Sequence, residues 1–311
     1  MAVVWLTAAA RLLQYAGAVV LFGAPLFLLY GPRGEDGRRA VALAWPRFGL
    51  ALAAVVILAG GVLGLALEAA AMTDKPADVF RPAAWWDVLT GSRFGAAMGV
   101  RLILTTLALP LTLAPAGHGP RIAQALTGAA VMVSFAWTGH GAMDEGMGGL
   151  AHLGSDIIHL LAAGVWLGAL AGLVTLTMTR RLDDDPGALM AVQRALEGFS
   201  GVGSLMVALL VLTGLVNGVF LIGLAGISRL PTSAYGLLLL AKIAAFFVMM
   251  GLAVQNRFRL TPALSNGLAT GDAVPARRAL ARSIGIESAV AGLVLALVGA
   301  LGALAPLSMP G

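Results

Sequence analysis

The chain contains no cysteine, which removes both a disulfide framework and a thiolate metal site. Any soft-metal chemistry therefore falls to methionine and histidine. Charge is also scarce, at 11% of residues against 59% hydrophobic, with a mean hydropathy of +0.92. That balance cannot cover a water-soluble globule of this size and implies an integral membrane protein. No Walker loop, no glycine-rich dinucleotide fingerprint and no DKTG-like phosphorylation segment occurs, so direct ATP-driven pumping by this chain alone is not expected. The first apolar segment has neither a basic stretch before it nor a clear cleavage site, and is expected to stay as the first span rather than leave as a signal peptide. A pI near 10.4 would raise nucleic acid for a soluble protein. Here it reflects arginines in loops between spans, and no nucleic-acid partner is expected.

What is present is a series of apolar runs bounded by glycine, proline and charge clusters. They predict an all-α fold, a polytopic membrane helical bundle of about eight transmembrane helices, because a chain in lipid must satisfy its own backbone hydrogen bonds. The expected spans are 3–30, 47–71, 94–114, 121–140, 152–179, 199–226, 234–256 and 282–305, within a single integral membrane domain over 1–311. Loops after the odd-numbered spans carry Arg33, Arg38, Arg39, Arg47, Arg121, Arg180, Arg181, Arg194, Arg257, Arg259, Arg277, Arg278 and Arg282, whereas the opposite side has Lys75, Arg81, Arg93 and Arg229. By the positive-inside rule both termini are expected to be extracytoplasmic.

Of the four histidines, His140, His152 and His159 fall within twenty positions of one another. They are accompanied by Met143, Asp144, Glu145, Met147 and Asp156. Imidazoles and thioethers are ligands copper favours, and carboxylates can complete a Cu(II) site, so the set leaves Cu(I) and Cu(II) both open. On the expected topology His140 ends span four at the outer surface and the following loop is extracytoplasmic. Asp144 and Glu145 give it an acidic mouth that attracts cations. His152, Asp156 and His159, at i, i+4 and i+7, form a stripe descending roughly 10 Å along span five. Two readings of that stripe stand. It is a metal ladder, as the cost of ionisable groups inside spans argues, or His140 and His152 are interfacial and Asp156 pairs with His159 to satisfy a polar spot.

Arg11, Arg101, Lys242 and Glu287 also fall inside spans. Their simplest role is a structural charge network, with Glu287 paired to Lys242 or Arg101; proton or ion coupling is the sharper one. Asn217 and Asn256 read as interhelical hydrogen-bond glue. His118 sits in a short cytoplasmic turn, either simply exposed or an exit-side ligand. Met98, Met132, Met206, Met249 and Met250 read as packing, and Trp85 and Trp86 as an interfacial anchor.

The stretch His159-Leu-Leu-Ala-Ala-Gly-Val-Trp166-Leu-Gly-Ala-Leu, preceded by Gly139-His140, resembles a motif of the CopD copper-resistance membrane proteins. So do, in order, Leu89-Thr-Gly-Ser-Arg-Phe94-Gly95 with Arg101, Phe199-Ser200, Leu212-Thr213-Gly214, Tyr235-Gly236 through Lys242, Asn256-Arg257, and Arg282-Ser283-Ile-Gly-Ile-Glu287. The resemblance covers nearly the whole chain and is densest over 192–305. It implies an eight-span inner-membrane protein of periplasmic copper handling that moves copper toward the cytoplasm. It also implies a periplasmic copper-binding partner of the CopC type, here a separate protein, and His140, His152 and His159 as ligands. Met143, Met147, Asp144 and Glu145 rest on ligand chemistry alone. Three functions compete: a copper transporter without enzymatic activity, a haem b electron-transfer protein or metalloreductase using His159 with a partner, and a copper-binding receptor that does not translocate.

Overall fold

The computed structural model describes residues 2–46, 48–139, 146–183 and 185–308, and of residues 2, 224 and 225 the backbone only. The described residues are helical throughout, without strands: α1 (Ala2–Tyr30), α2 (Gly34–Ala44), α3 (Gly49–Thr73), α4 (Pro82–Gly91), α5 (Arg93–Thr112), α6 (His118–Ser134), α7 (Gly146–Met178), α8 (Pro186–Gly226), α9 (Ala234–Gln255), α10 (Thr261–Thr270) and α11 (Val274–Leu301). Seven helical stretches are long and apolar enough to cross a membrane, carried by α1, α3, α5, α7, α8, α9 with α10, and α11. The chain is a multi-pass helical membrane protein.

The segment expected as span four is α6, 17 residues followed by a 3-10 turn over Phe135–Thr138. Seventeen residues rise roughly 26 Å, short of a hydrocarbon core of about 30 Å. The tighter turn adds about 8 Å more. Three other helices start earlier than hydropathy implies: α7 at Gly146, α8 at Pro186 and α11 at Val274. Hydropathy marks where the chain leaves lipid, and a helix needs no lipid to continue. Thus α8 begins on a good cap, with the Asp185 carboxylate accepting from the Ala188 N–H at 3.1 Å and Pro186 in the first turn.

Up to a kink at Gly223 it runs 38 residues, Pro186–Gly223, which would extend roughly 57 Å, about twice the hydrocarbon thickness. The excess packs against α2, whose Gly37, Ala40 and Val41 are buried. Arg39 to Asp185 at 2.7 Å adds a half-buried ion pair and Arg194 to Asp36 at 3.1 Å an exposed one, the exposed pair contributing about 0–1 kcal/mol. Nearby, the buried Arg277 of α11 grips Asp183 and donates to the Thr177 carbonyl at the end of α7.

At the centre, α1 packs on α3, α6, α7 and α11. It meets α7 backbone to backbone, because Gly23 lies against Gly164 and Gly168, a small-xxx-small pair; a Cβ on Gly23 or Gly168 would overlap main-chain atoms, and one on Gly164 would overlap the Phe22 ring. Gly168→Val is therefore expected to cost about 1–3 kcal/mol or more through forced separation of α1 and α7. Thermal unfolding of the purified protein, read by loss of monodisperse elution, checks this; an unchanged transition would mean that the helices can part freely.

Candidate metal pathway

The α7 stripe has a counterpart on α8, which packs beside it. His159 Nδ1 lies 2.9 Å from Thr213 Oγ1, Asn217 Nδ2 donates to Asp156 Oδ1 at 3.5 Å, and the His152 ring stacks on Phe220 with centroids 4.5 Å apart and planes 7° from parallel. Thr213, Asn217 and Phe220 also stand at i, i+4 and i+7, so two antiparallel faces meet rung for rung. Ser155 Oγ donates to the Thr213 carbonyl at 3.2 Å and locks the register.

The Thr213 hydroxyl has one proton, which it donates to the Leu209 carbonyl at 2.6 Å. It must therefore accept from His159 Nδ1–H, which leaves the lone pair of the neutral ring on Nε2. An imidazole oriented through one nitrogen so that the other can ligate is how metal-binding histidines are held. Beside the next rung, Asn217 Oδ1 is buried and has no hydrogen-bond partner among the described residues. Lys242, on α9, is close enough to act electrostatically on both Asp156 and His159. Gly139 lies against this face too: a Cβ there would stand 3.6 Å from Asp156 Oδ2.

His152 is buried, whereas Asp156 and His159 are half-buried. Met147, in the first turn of α7, is 82% exposed. His140, Met143, Asp144 and Glu145 lie outside the described residues. Among the described residues no three histidine or carboxylate side chains converge on one point; what is present is a line of donors. The alternative Asp156–His159 pair gives way to separate partners on α8, Asn217 and Thr213.

The expected charge network of Arg11, Arg101, Lys242 and Glu287 is corrected by the structure, which puts these groups in three places. Glu287 accepts from Asn256 Nδ2 at 2.8 Å and from the Trp166 indole, not from Lys242 or Arg101. The reason is axial distance: Asn256 is 14 residues beyond Lys242, roughly 21 Å along the helix axis. Arg101 instead faces α1 and α6, and shares a small cavity with Arg11 and Glu68. Sequence reading missed Thr213 and Phe220 as partners of the ladder. The signal was there in their spacing, which repeats that of His152, Asp156 and His159.

Residues 1–150 match the family described as copper resistance protein D-like, N-terminal domain, and residues 193–301 match copper resistance protein D. Over 309 residues the chain is 34% identical to Copper resistance protein D of Pseudomonas syringae pv. tomato, covering 97% of both chains. The chain belongs to the CopD copper-resistance family. A second relative is Inner membrane protein YebZ of Escherichia coli (strain K12), 28% identical over 256 residues, 82% of this chain and 84% of that one. No solved structure matches the chain.

Proposed function

We propose that this CopD-family protein carries copper across the bacterial inner membrane, from the periplasm toward the cytoplasm, as an eight-span transporter with no enzymatic activity. The observation that carries the reading is the pairing of Thr213 with His159, which presents Nε2 as a ligand below His152 and Asp156. Copper, the cargo, is collected by His140, Met143 and Met147 under the field of Asp144 and Glu145, then passed along His152, Asp156 and His159. A line of donors suits transit better than a closed site, because each stop must release what it binds. Periplasmic termini are supported by the arginine asymmetry and by the packing of Gly299 against the Ala8 carbonyl, which brings the two ends of the chain together. A separate CopC-type protein is the donor. A bis-histidine haem is disfavoured, since α8, α9, α10 and α11 contain no histidine to oppose His159.

Copper presented outside sealed proteoliposomes is expected to accumulate with time beyond one equivalent per protein, and to be lost when detergent opens the vesicles. Uptake that stops at stoichiometric binding and survives detergent would make the protein a receptor instead. A Soret band at stoichiometric intensity in the purified protein would favour the haem reading over both.

A further inference from the structure

At the end of the bundle that carries most of the arginines, a cavity of about 390 Å³ lies between the last turns of α1, the start of α2 and the connection from α5 to α6. Its polar wall is Arg33, Arg38, His118 and Arg121, its apolar wall includes Leu28 and Val41, and no carboxylate is among its described lining residues. Arg33, Arg38 and His118 make no ion pair or side-chain hydrogen bond among the described residues. Of the two acids in the first turn of α2, Asp36 is taken up by Arg194, and Glu35 is exposed outside the cavity lining. Arg121 is fixed by donating through Nη1 to the Leu28 carbonyl at 3.1 Å, and its other N–H groups remain available.

Two helices also begin at this cavity. α2 starts at Gly34 behind Arg33 and α6 starts at His118 behind Gly117, and neither has a side-chain cap. Their first-turn N–H groups are thus unsatisfied by side chains; at α2 the acids Glu35 and Asp36 offset the positive potential of that end, whereas α6 has no acid in its first turn and adds its potential to that of the guanidiniums. Helix N-termini together with arginines are the donor set for phosphate oxygens. Exposed cations clustered without a counter-charge give this cavity a positive field that draws anions to it. Such a pocket could take a phosphate from a lipid headgroup or from free solution. Its apolar wall continues the lipid-spanning helix α1, which favours the lipid, and its volume falls in the range of small-ligand pockets.

We propose that this cavity binds the phosphate of an anionic membrane phospholipid, tying α2 and the α5–α6 connection to the membrane surface. The proposal is independent of the copper pathway. The test uses the full chain, purified and offered phosphatidylglycerol, phosphatidylcholine or inorganic phosphate, with retained ligand read by native mass spectrometry. Wild type is expected to keep phosphatidylglycerol selectively, and the double variant Arg33→Gln/Arg38→Gln to hold it about tenfold or more weakly. Both arginines are exposed and contact no partner, so the variant should keep its helical circular dichroism. Arg180→Gln, an exposed arginine outside the cavity, should retain the lipid like wild type. Equal retention by wild type and the double variant would overturn the proposal, as would an equal loss in Arg180→Gln. Binding of inorganic phosphate without preference for phosphatidylglycerol over phosphatidylcholine would overturn the lipid assignment.

Discussion

Replacing His159 with alanine is expected to abolish copper accumulation in proteoliposomes while leaving a folded protein. His159 is the deepest of the three donors that α7 places on the ladder, and α8, α9, α10 and α11 carry no histidine to follow it. Rungs three or four residues apart are separated by roughly 4.5–6 Å along the helix. Removing the last one leaves a gap that the Thr213 hydroxyl, a poor copper ligand, cannot bridge. The fold should tolerate the change, because alanine is the best helix former and Thr213 keeps its bond to Leu209. The lost imidazole bond costs about 1 kcal/mol. Thr213→Val gives a graded companion: the imidazole remains, but nothing fixes which nitrogen carries the proton. Loss of a group that orients a ligand weakens metal binding by about 10–100-fold, so uptake should fall partway. Unchanged uptake in His159→Ala would remove the ladder from the path. Full loss in His159→Ala with none in Thr213→Val would keep the ligand and discard the orienting role.

The spacing of His152, Asp156 and His159 is legible in the sequence because it belongs to a single helix, whose geometry is local. What each rung faces is not local. Thr213, Asn217 and Phe220 have the same spacing as the ladder, yet only the antiparallel register of α7 and α8, locked by Ser155, pairs them with it. Glu287 shows the same limit: charge alone matches it with Lys242 or Arg101, and the axial offset of the helices gives it Asn256 and Trp166 instead. Helix ends were hidden for a different reason. In α2 the charges of Glu35, Asp36, Arg38 and Arg39 read as a loop, although buried Gly37, Ala40 and Val41 follow an i, i+3, i+4 pattern that marks a half-covered surface helix.

Arg101→Ala is expected to be the most destabilising single substitution in the bundle. Arg101 is 2% exposed and, among the described residues, has no carboxylate partner. Neutral acceptors satisfy its fork: Nε donates to Ser134 Oγ at 3.0 Å, Nη1 to Gln14 Oε1 at 2.8 Å, and Nη2 to the Ser134 carbonyl at 3.0 Å and Thr138 Oγ1 at 2.8 Å. The guanidinium carbon also stands 3.7 Å from the centroid of the Phe135 ring. Gln14 extends the network, donating to the carbonyls of Ala10 and Gly60 and so joining α1 to α3. One side chain on α5 therefore organises α1, α3 and the end of α6. Truncating it strands Gln14 Oε1, Thr138 Oγ1 and the Ser134 carbonyl, at about 1–3 kcal/mol for each buried acceptor that stays unsatisfied. Water from the adjoining cavity could recover part of that, since the cavity has room for about one molecule at ≈ 20 Å³. A net loss of several kcal/mol remains, enough to deplete the folded protein. Arg101→Lys should recover only part of it, because an ammonium keeps the charge but has three donors and no planar fork to lie over Phe135. Thermal unfolding of both variants measures the ordering: wild type most stable, lysine intermediate, alanine least. An alanine variant as stable as wild type would mean that water replaces the guanidinium without loss. If lysine matched arginine, the charge rather than the forked geometry would be what holds the four elements together.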